Sequence, residues 1–248
     1  MVYAAHLRPK DVSGWLRSAS YALDTVGDDE DANLHTARLC YSAALRADPT
    51  NLEARTGKAS VCQRQGHLGT AVTEYGRILK RRPGDIDMVR RLAEACMDAR
   101  HAETAVPTAI TAYQRYFTIT RKKKSDQLPI SELWYDVGVY VEMFAYTGRY
   151  GEAIRELKSL ARWLVGRGEE TFWDSWQDDD REWDIDDARR SQMPEAFTAD
   201  SLEAAGRTET LPLDLRARLA IYRFRVAQPH EALVSQRCHH ETSRATDT

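Results

Sequence analysis

Carboxylates and tryptophans are concentrated between Gly166 and Asp187, in a stretch that reads GRGEETFWDSWQDDDREWDIDD. Ten carboxylates stand against two arginines here, and three of the six tryptophans of the chain lie among them. Tryptophan is rarely left in water, so we expect this segment to dock on a surface. Two surfaces are equally compatible: a partner protein, or the chain's own groove. The partner-binding candidates are Trp173, Trp176, Asp178, Asp179, Asp180, Arg181 and Trp183.

The same carboxylates raise the hypothesis of a metal-assisted enzyme that uses the cluster from Asp178 to Asp187. The run Asp178-Asp179-Asp180 lacks the turn glycine of a calcium-binding EF-hand loop. Cys238-His239-His240 has ligand chemistry but no apolar sequence around it to preorganise a metal site. The chain also has no glycine-rich phosphate loop, nucleophile elbow or H-E-x-x-H motif. We therefore predict no enzyme, and no catalytic, metal-binding or cofactor-binding residue.

A second charged stretch is basic and extends from Arg121 to Pro129. Its cations, which could contact phosphates or an acidic protein, are Arg121, Lys122, Lys123 and Lys124. Short charged runs are more often solvated loops, and the formal net charge of −3 gives no general argument for nucleic acid binding. Direct DNA binding through these four residues is kept as a rival hypothesis.

The elements that must position these segments follow a fixed period. Small residues, an aromatic residue and a proline recur after 34 residues, in the pairs Ala37 and Ala71, Tyr41 and Tyr75, and Pro49 and Pro83. This period and these residue types are typical of the tetratricopeptide repeat (TPR), in which two helices form a hairpin and successive hairpins stack. Cys62 and Cys96 share one repeat position; a disulfide fits the spacing, but buried apolar filler is the interpretation we favour.

We therefore predict an all-α fold, a TPR superhelix (α-α solenoid) of about four repeats plus an incomplete fifth. The array covers 10–165 with a basic loop at 119–129, followed by an acidic tryptophan-rich loop at 166–212. A further repeat starts at 213–234, and 235–248 is predicted to be a disordered tail. Because the apolar pattern stops after Val234, we expect the chain to be a fragment of a longer protein. Asp31 and Ser131 are predicted to cap the second helix and the first helix of the fourth repeat.

The groove that such arrays offer to ligands has an unusual lining in the second and third repeats. A chaperone-binding TPR clamp uses Lys, Asn and Arg, but acids are frequent here, so we reject that ligand. The predicted groove residues are Glu53, Thr56, Ser60, Gln63, Asp87, Arg90, Glu94 and Asp98. No run of 18 apolar residues is present, and we predict no membrane helix.

The most specific stretch is ARWLVGRGEETFWDSWQDDDREWDIDDARR, from Ala161 to Arg190. It resembles the TPR subunit of transcription factor IIIC (TFIIIC), the fungal tau factor, in which a helix ending in Ala-Arg-Trp-Leu precedes a tryptophan-rich acidic loop. The family then resumes with segments similar to Leu211-Pro212-Leu213-Asp214-Leu215-Arg216 and Ala220-Ile221-Tyr222-Arg223. Both features occur here in that order, and the resemblance extends over about Lys10 to Leu233.

This resemblance implies a nuclear, non-enzymatic scaffold in RNA polymerase III transcription. Its partners would be TFIIIB components, notably Brf and Bdp, and other TFIIIC subunits, which supply most of the DNA reading. DNA would then be contacted only indirectly, and no cofactor, membrane or small-molecule substrate would be involved. The alternative is a generic TPR adaptor in another nuclear or cytoplasmic complex, such as one in RNA processing.

Overall fold

The computed structural model describes residues 7–25, 29–99, 102–123, 129–176, 178–183 and 211–226. Within these ranges the chain forms α-helices and two short 3-10 helices and contains no strand. The predicted all-α class is therefore confirmed, and the helices pack in sequence order as a TPR-type solenoid requires. The chain divides into two compact units, Met1–Lys122 and Lys123–Thr248.

Unit 1 contains six helices among its described residues, and each packs against the next one along the chain. They are α1 (Val12–Asp24), α2 (Glu30–Ala47), α3 (Leu52–Arg64), α4 (Leu68–Arg81), α5 (Ile86–Met97) and α6 (Ala102–Thr120). The small and aromatic residues of the 34-residue period lie in the interior, whereas Pro49 is exposed and Pro83 is half-buried. Ala37, Ala59, Ala71 and Tyr75 are fully buried, because small residues let neighbouring helices approach and the aromatic ring fills the space between them.

Unit 2 contains α7 (Ile130–Tyr146), α8 (Tyr150–Leu164) and α9 (Leu213–Arg225) among its described residues. Two 3-10 helices, Thr171–Ser175 and Arg181–Trp183, lie in the tryptophan-rich segment. Helix α8 packs against both α7 and α9, so it is the central element of this unit.

The turns inside the second and fourth repeats have the same backbone geometry. Gly66 and Gly148 adopt φ values of 73° and 74°, a left-handed conformation that favours glycine. In each turn the next residue donates its N–H across the helix end, from His67 to Cys62 O at 2.8 Å and from Arg149 to Phe144 O at 2.9 Å. This is the Schellman arrangement, and it brings the two turns into register at a separation of 82 residues.

Both predicted helix caps are wrong. Asp29, not Asp31, caps α2, because its carboxylate accepts the Ala32 N–H at 2.8 Å and the helix begins at Glu30. Asp31 lies in the first turn, where a carboxylate is favourable next to the positive end of the helix dipole. Helix α7 begins at Ile130, one residue before Ser131, and its N-cap is Pro129, with no side-chain cap hydrogen bond.

The interpretation of the cysteines as buried filler is confirmed. Cys40, Cys62 and Cys96 carry free thiols and are buried, so Cys62 and Cys96 form no disulfide. Burial raises the pKa of the Cys96 thiol to about 11, which keeps it protonated and unreactive at neutral pH.

Several predictions fall on residues outside the described ranges. They concern Lys124, the segment 184–210, and everything after Val226, including Cys238-His239-His240, the second helix of the fifth repeat and the disordered tail. The predicted domain boundaries remain predictions.

Candidate protein-interaction site

The tryptophan-rich segment packs against α8 and α9 within unit 2. Trp173 and Trp183 are only 1% and 5% exposed, whereas Trp176 is 39% exposed. The Trp173 indole N–H donates to Glu170 Oε2 at 2.9 Å, and the Arg167 guanidinium lies 5.5 Å from the centre of the Trp183 ring. Two of the three tryptophans are thus anchored inside the chain, by polar and cation–π contacts.

Two buried cations of α8 hold the carboxylates of the segment. Lys158 and Arg162 are four residues apart and therefore share one helix face. The Lys158 ammonium lies 3.0 Å from Glu182 Oε1 and 3.4 Å from Asp180 Oδ1. It also donates to the backbone carbonyls of Asp179 and Trp176, at 2.5 and 3.2 Å. One lysine therefore fixes both the carboxylates and the backbone of the segment.

Arg162 makes the second set of contacts. Its Nη1 donates to both carboxylate oxygens of Glu182, at 3.2 and 3.0 Å, and its Nη2 contacts Asp174. Burial raises the pKa of the Glu182 carboxyl, and the attraction of Lys158 and Arg162 opposes that rise. The cost of desolvating Glu182 is therefore only partly offset by its two partners.

Arg223 connects the segment to α9. It donates through Nε to Asp180 Oδ2 at 2.9 Å and through Nη2 to Asp180 Oδ1 at 2.7 Å, a bidentate pair in which both side chains are buried. A third nitrogen, Nη1, lies 3.8 Å from Asp178 Oδ1, whose side chain is 84% exposed. Asp180 thus joins α8 and α9 through its contacts with Lys158 and Arg223.

Asp179 and Arg181 form a local pair at the turn before the second 3-10 helix. Asp179 accepts the Arg181 backbone N–H at 2.8 Å and its Nε at 2.7 Å. Burial by itself would raise the pKa of the Asp179 carboxyl, but these hydrogen bonds outweigh it and lower the pKa. Asp179 is therefore an ionised structural group of the turn at neutral pH.

The predicted partner-binding residues are thus distributed between the interior and the surface. Trp173, Asp180 and Trp183 are buried, Asp179 and Arg181 are half-buried, and Trp176 and Asp178 are exposed. Over the ranges that the structure describes, no group of three or more His, Cys, Asp or Glu side chains is arranged to hold a metal ion. The arrangement binds the segment to its own unit and presents one edge, Trp176 and Asp178, to solvent.

Sequence reasoning missed the partners of these carboxylates, Lys158, Arg162 and Arg223. A signal was present in α8, where Lys158 and Arg162 interrupt the apolar face made by Leu157, Leu160 and Ala161. A cation on the apolar face of a helix needs a buried anion as its partner. The acidic segment comes directly after α8 in the sequence and can supply one.

The basic run lies at the end of α6. Arg121, Lys122 and Lys123 are exposed, and Lys124 is outside the described ranges. In the part of the chain that the structure covers, no helix is both long and apolar enough to cross a bilayer.

Helical hairpins with a 34-residue period, stacked in sequence order, define an α-α solenoid of the TPR class, whose members are protein-binding scaffolds. No protein-family model matches the chain. The chain is 28% identical over 239 residues to transcription factor tau subunit sfc4 of Schizosaccharomyces pombe. The aligned residues cover 92% of this chain and 22% of that protein.

Two further relatives agree. General transcription factor 3C polypeptide 3 of Homo sapiens is 28% identical over 152 residues, which cover 61% of this chain and 16% of that protein. The transcription factor tau 131 kDa subunit of Saccharomyces cerevisiae is 23% identical over 285 aligned residues, 95% of this chain and 26% of that protein. The resemblance to a TFIIIC subunit is therefore confirmed, and the chain spans about a fifth of the length of the sfc4 relative.

Proposed function

We propose that this chain is a protein-interaction scaffold within a TFIIIC subunit and acts in the nucleus in RNA polymerase III transcription. The observation that carries the proposal is the similarity to sfc4 over 92% of the chain, together with the solenoid fold. Stacked hairpins offer a preformed surface, which lowers the entropy cost of binding a partner. Its action is non-enzymatic, and its partners are TFIIIB components and other TFIIIC subunits.

Within unit 2 the exposed edge of the tryptophan-rich segment is the surface we assign to a partner. Trp176 offers a large, partly exposed ring beside the exposed carboxylate of Asp178. Tryptophan is a frequent anchor at interfaces, and the buried remainder of the segment holds this ring in a defined position.

The test is a pull-down with the full chain and purified TFIIIB components, Brf and Bdp, as separate probes. We expect binding of at least one component, and a loss of about tenfold in affinity for the double variant Trp176→Ala, Asp178→Asn. The matched control is Tyr135→Ala, which removes another exposed aromatic ring of the same unit and should bind normally.

A generic TPR adaptor in another complex is the competing function. Recovery of neither a TFIIIB component nor a TFIIIC subunit from nuclear extract would support the adaptor and contradict the proposal. If TFIIIB components bind but the double variant binds equally well, the scaffold role stands and the assignment of the Trp176 edge is wrong.

A further inference from the structure

A cleft of about 340 Å³ opens in unit 1 between α2 and the hairpin formed by α3 and α4. We call it the cationic notch, because four of its lining side chains are basic and one is acidic. Its charged residues are Arg46, Arg55, Lys58, Glu74 and Arg77, and the remaining lining residues are Ser42, Leu45 and Pro49.

The single carboxylate is buried under the cations. Glu74 is 3% exposed and lies 2.5 Å from Arg55 Nη1, 3.2 Å from Lys58 Nζ and 3.1 Å from Arg77 Nη1. One carboxylate balances one of the four positive charges, which leaves an excess of three around the cleft. Arg46 is exposed and the Arg77 side chain is 55% exposed, so both can reach a ligand that enters from solvent.

Two of these cations stand where the repeat pattern has apolar residues. The pattern W-x₂-L-G-x₂-Y, aligned with Ala59 at the glycine and Cys62 at the tyrosine, places Arg55 at the tryptophan and Lys58 at the leucine. Half-buried cations at such positions have to be desolvated, which an apolar pair would avoid. Both cations pair with Glu74, which carries one negative charge against their two positive charges.

A second cleft of about 410 Å³ is built from the same repeat positions 34 residues further along the chain, and it can be compared with the notch. Gly76, Leu79, Lys80 and Pro83 replace Ser42, Leu45, Arg46 and Pro49. Leu92, Thr108 and Thr111 replace Lys58, Glu74 and Arg77. The second cleft keeps a cation at Lys80 and has another at Arg115, but it lacks the three charges of Lys58, Glu74 and Arg77. Those three charges are therefore a property of the notch and not of the fold.

Unit 2 shows what binds to cations at these helix positions. The glycine turns place Lys158 and Arg162 of α8 at the positions of Gly76 and Lys80, hence of Ser42 and Arg46. There the acidic segment supplies Asp180 and Glu182 to Lys158, and Glu182 also to Arg162. An acidic segment is therefore an occupant that this repeat geometry already accommodates.

We propose that the cationic notch binds an acidic segment of a partner protein, with an Asp or Glu carboxylate accepting hydrogen bonds from Arg46, Lys58 and Arg77. A cleft of this size fits one or two side chains, whereas duplex DNA needs an extended basic surface. The notch uses a different face of α3 from the predicted groove residues Glu53 and Thr56, since Arg55 lies about 200° from Glu53 around the helix and Lys58 about 200° from Thr56. The inference goes beyond the proposed function and holds for any complex in which the chain acts.

The test uses the full chain and a fluorescein-labelled, glutamate-rich peptide at about 0.1 M ionic strength. Arg46→Ser combined with Arg77→Thr removes the two exposed cations of the notch, the second by the residue found at Thr111, and circular dichroism checks that the variant folds. We expect the peptide affinity to fall by about tenfold or more, because two charge-assisted hydrogen bonds are lost. The control, Lys80→Ser, removes one charge from the second cleft and should change affinity less than about twofold.

Four results would overturn the proposal. One is wild-type affinity in the double variant, and another is an equal loss with Lys80→Ser, which would indicate general charge attraction. The third is equal binding of a peptide with glutamine in place of glutamate. A duplex DNA probe completes the design: if the double variant loses DNA affinity as strongly as peptide affinity, the notch is a nucleic acid site and the proposal is wrong.

Discussion

Two ionic clusters of this chain differ in how completely their positive charges are paired with carboxylates. One surrounds Glu74 in unit 1, and the other surrounds Asp180 and Glu182 in unit 2. In unit 2 the cations of α8 and α9 meet carboxylates of the chain's own acidic segment, and the principal pairs are fully buried. In unit 1 one carboxylate contacts three cations, a fourth cation lines the same cleft, and part of the cation surface stays in water. A balanced cluster holds the chain together, whereas a cluster with excess charge is available to a ligand.

The largest expected effect is on the balanced cluster. Arg223→Leu removes the bidentate partner of the buried Asp180, which keeps its contact with Lys158. We expect a loss of about 3–5 kcal/mol in the free energy of unfolding. Urea unfolding followed by tryptophan fluorescence measures it, because Trp173 and Trp183 report on the segment. The double variant Arg223→Leu, Asp180→Leu should recover most of the loss; a double variant as unstable as the single one would contradict a paired, balanced cluster.

A smaller loss is expected when the single carboxylate of unit 1 is neutralised. Glu74→Gln keeps the shape but leaves Arg55, Lys58 and Arg77 without their shared anion, which should cost about 2 kcal/mol at pH 7. The same variant should bind the glutamate-rich peptide more tightly, since the charge excess of the notch increases. A higher free energy of unfolding for Glu74→Gln, or weaker peptide binding, would mean that Glu74 does not compete with the ligand for these cations.

The contribution of Glu74 should depend on pH in a defined direction. Burial by itself would raise its pKa, but hydrogen bonds from Arg55 and Lys58 outweigh that and lower it below the ordinary value of 4.5. A carboxyl with a depressed pKa stabilises the fold above its unfolded-state pKa and loses that contribution as the pH falls through its folded-state pKa. The difference in unfolding free energy between wild type and Glu74→Gln should therefore be largest at pH 7 and decrease in acid. A difference that increases below pH 4.5 would contradict the lowered pKa of Glu74.

Conversion of the notch toward the second cleft should affect binding more than stability. Lys58→Leu introduces the residue found at Leu92, 34 residues further on, and leaves Glu74 with two arginines. We expect a change of less than about 1 kcal/mol in unfolding free energy, because the lost ion pair is offset by a smaller desolvation cost. A thermal melt measures the stability, and peptide titration in parallel should show weaker binding.

The smallest effect is expected at the exposed basic run. Replacing Arg121, Lys122 and Lys123 by glutamine should shift the unfolding free energy by less than about 0.5 kcal/mol, because exposed charges contribute little. DNA affinity, measured by fluorescence anisotropy at low salt, should also stay unchanged. A clear loss of DNA binding would support the rival hypothesis that this run contacts phosphates.

The sequence alone predicted the hairpins well, because their signals are local and periodic. Ala59, Ala71 and Tyr75 had to be buried for helices to pack at this period, and Gly66 and Gly148 had to turn in the left-handed conformation. Asp31 was mispredicted as a cap because Asp29, two residues earlier, can serve equally well by residue type. Ser131 was mispredicted because helix α7 begins one residue before it and has no side-chain cap.

The docking of the tryptophan-rich segment could not be settled from the sequence, because it depends on contacts between distant residues. Arg223 and Asp180 are 43 positions apart, and nothing local pairs them. Lys158 and Arg162 look like solvated charges until the apolar residues on both sides of them are placed on the same face of α8. The cationic notch was hidden for the same reason, since its cations come from three helices.

Hydrogen exchange of the full chain, measured by mass spectrometry with and without the glutamate-rich peptide, compares the two clusters directly. The cluster with excess charge should gain protection in peptides from α2, α3 and α4, whereas α8 and the segment around Asp180 should exchange as before. Protection at α8 and Asp180 with none at the notch would contradict the central claim that charge balance decides which cluster is closed and which one binds.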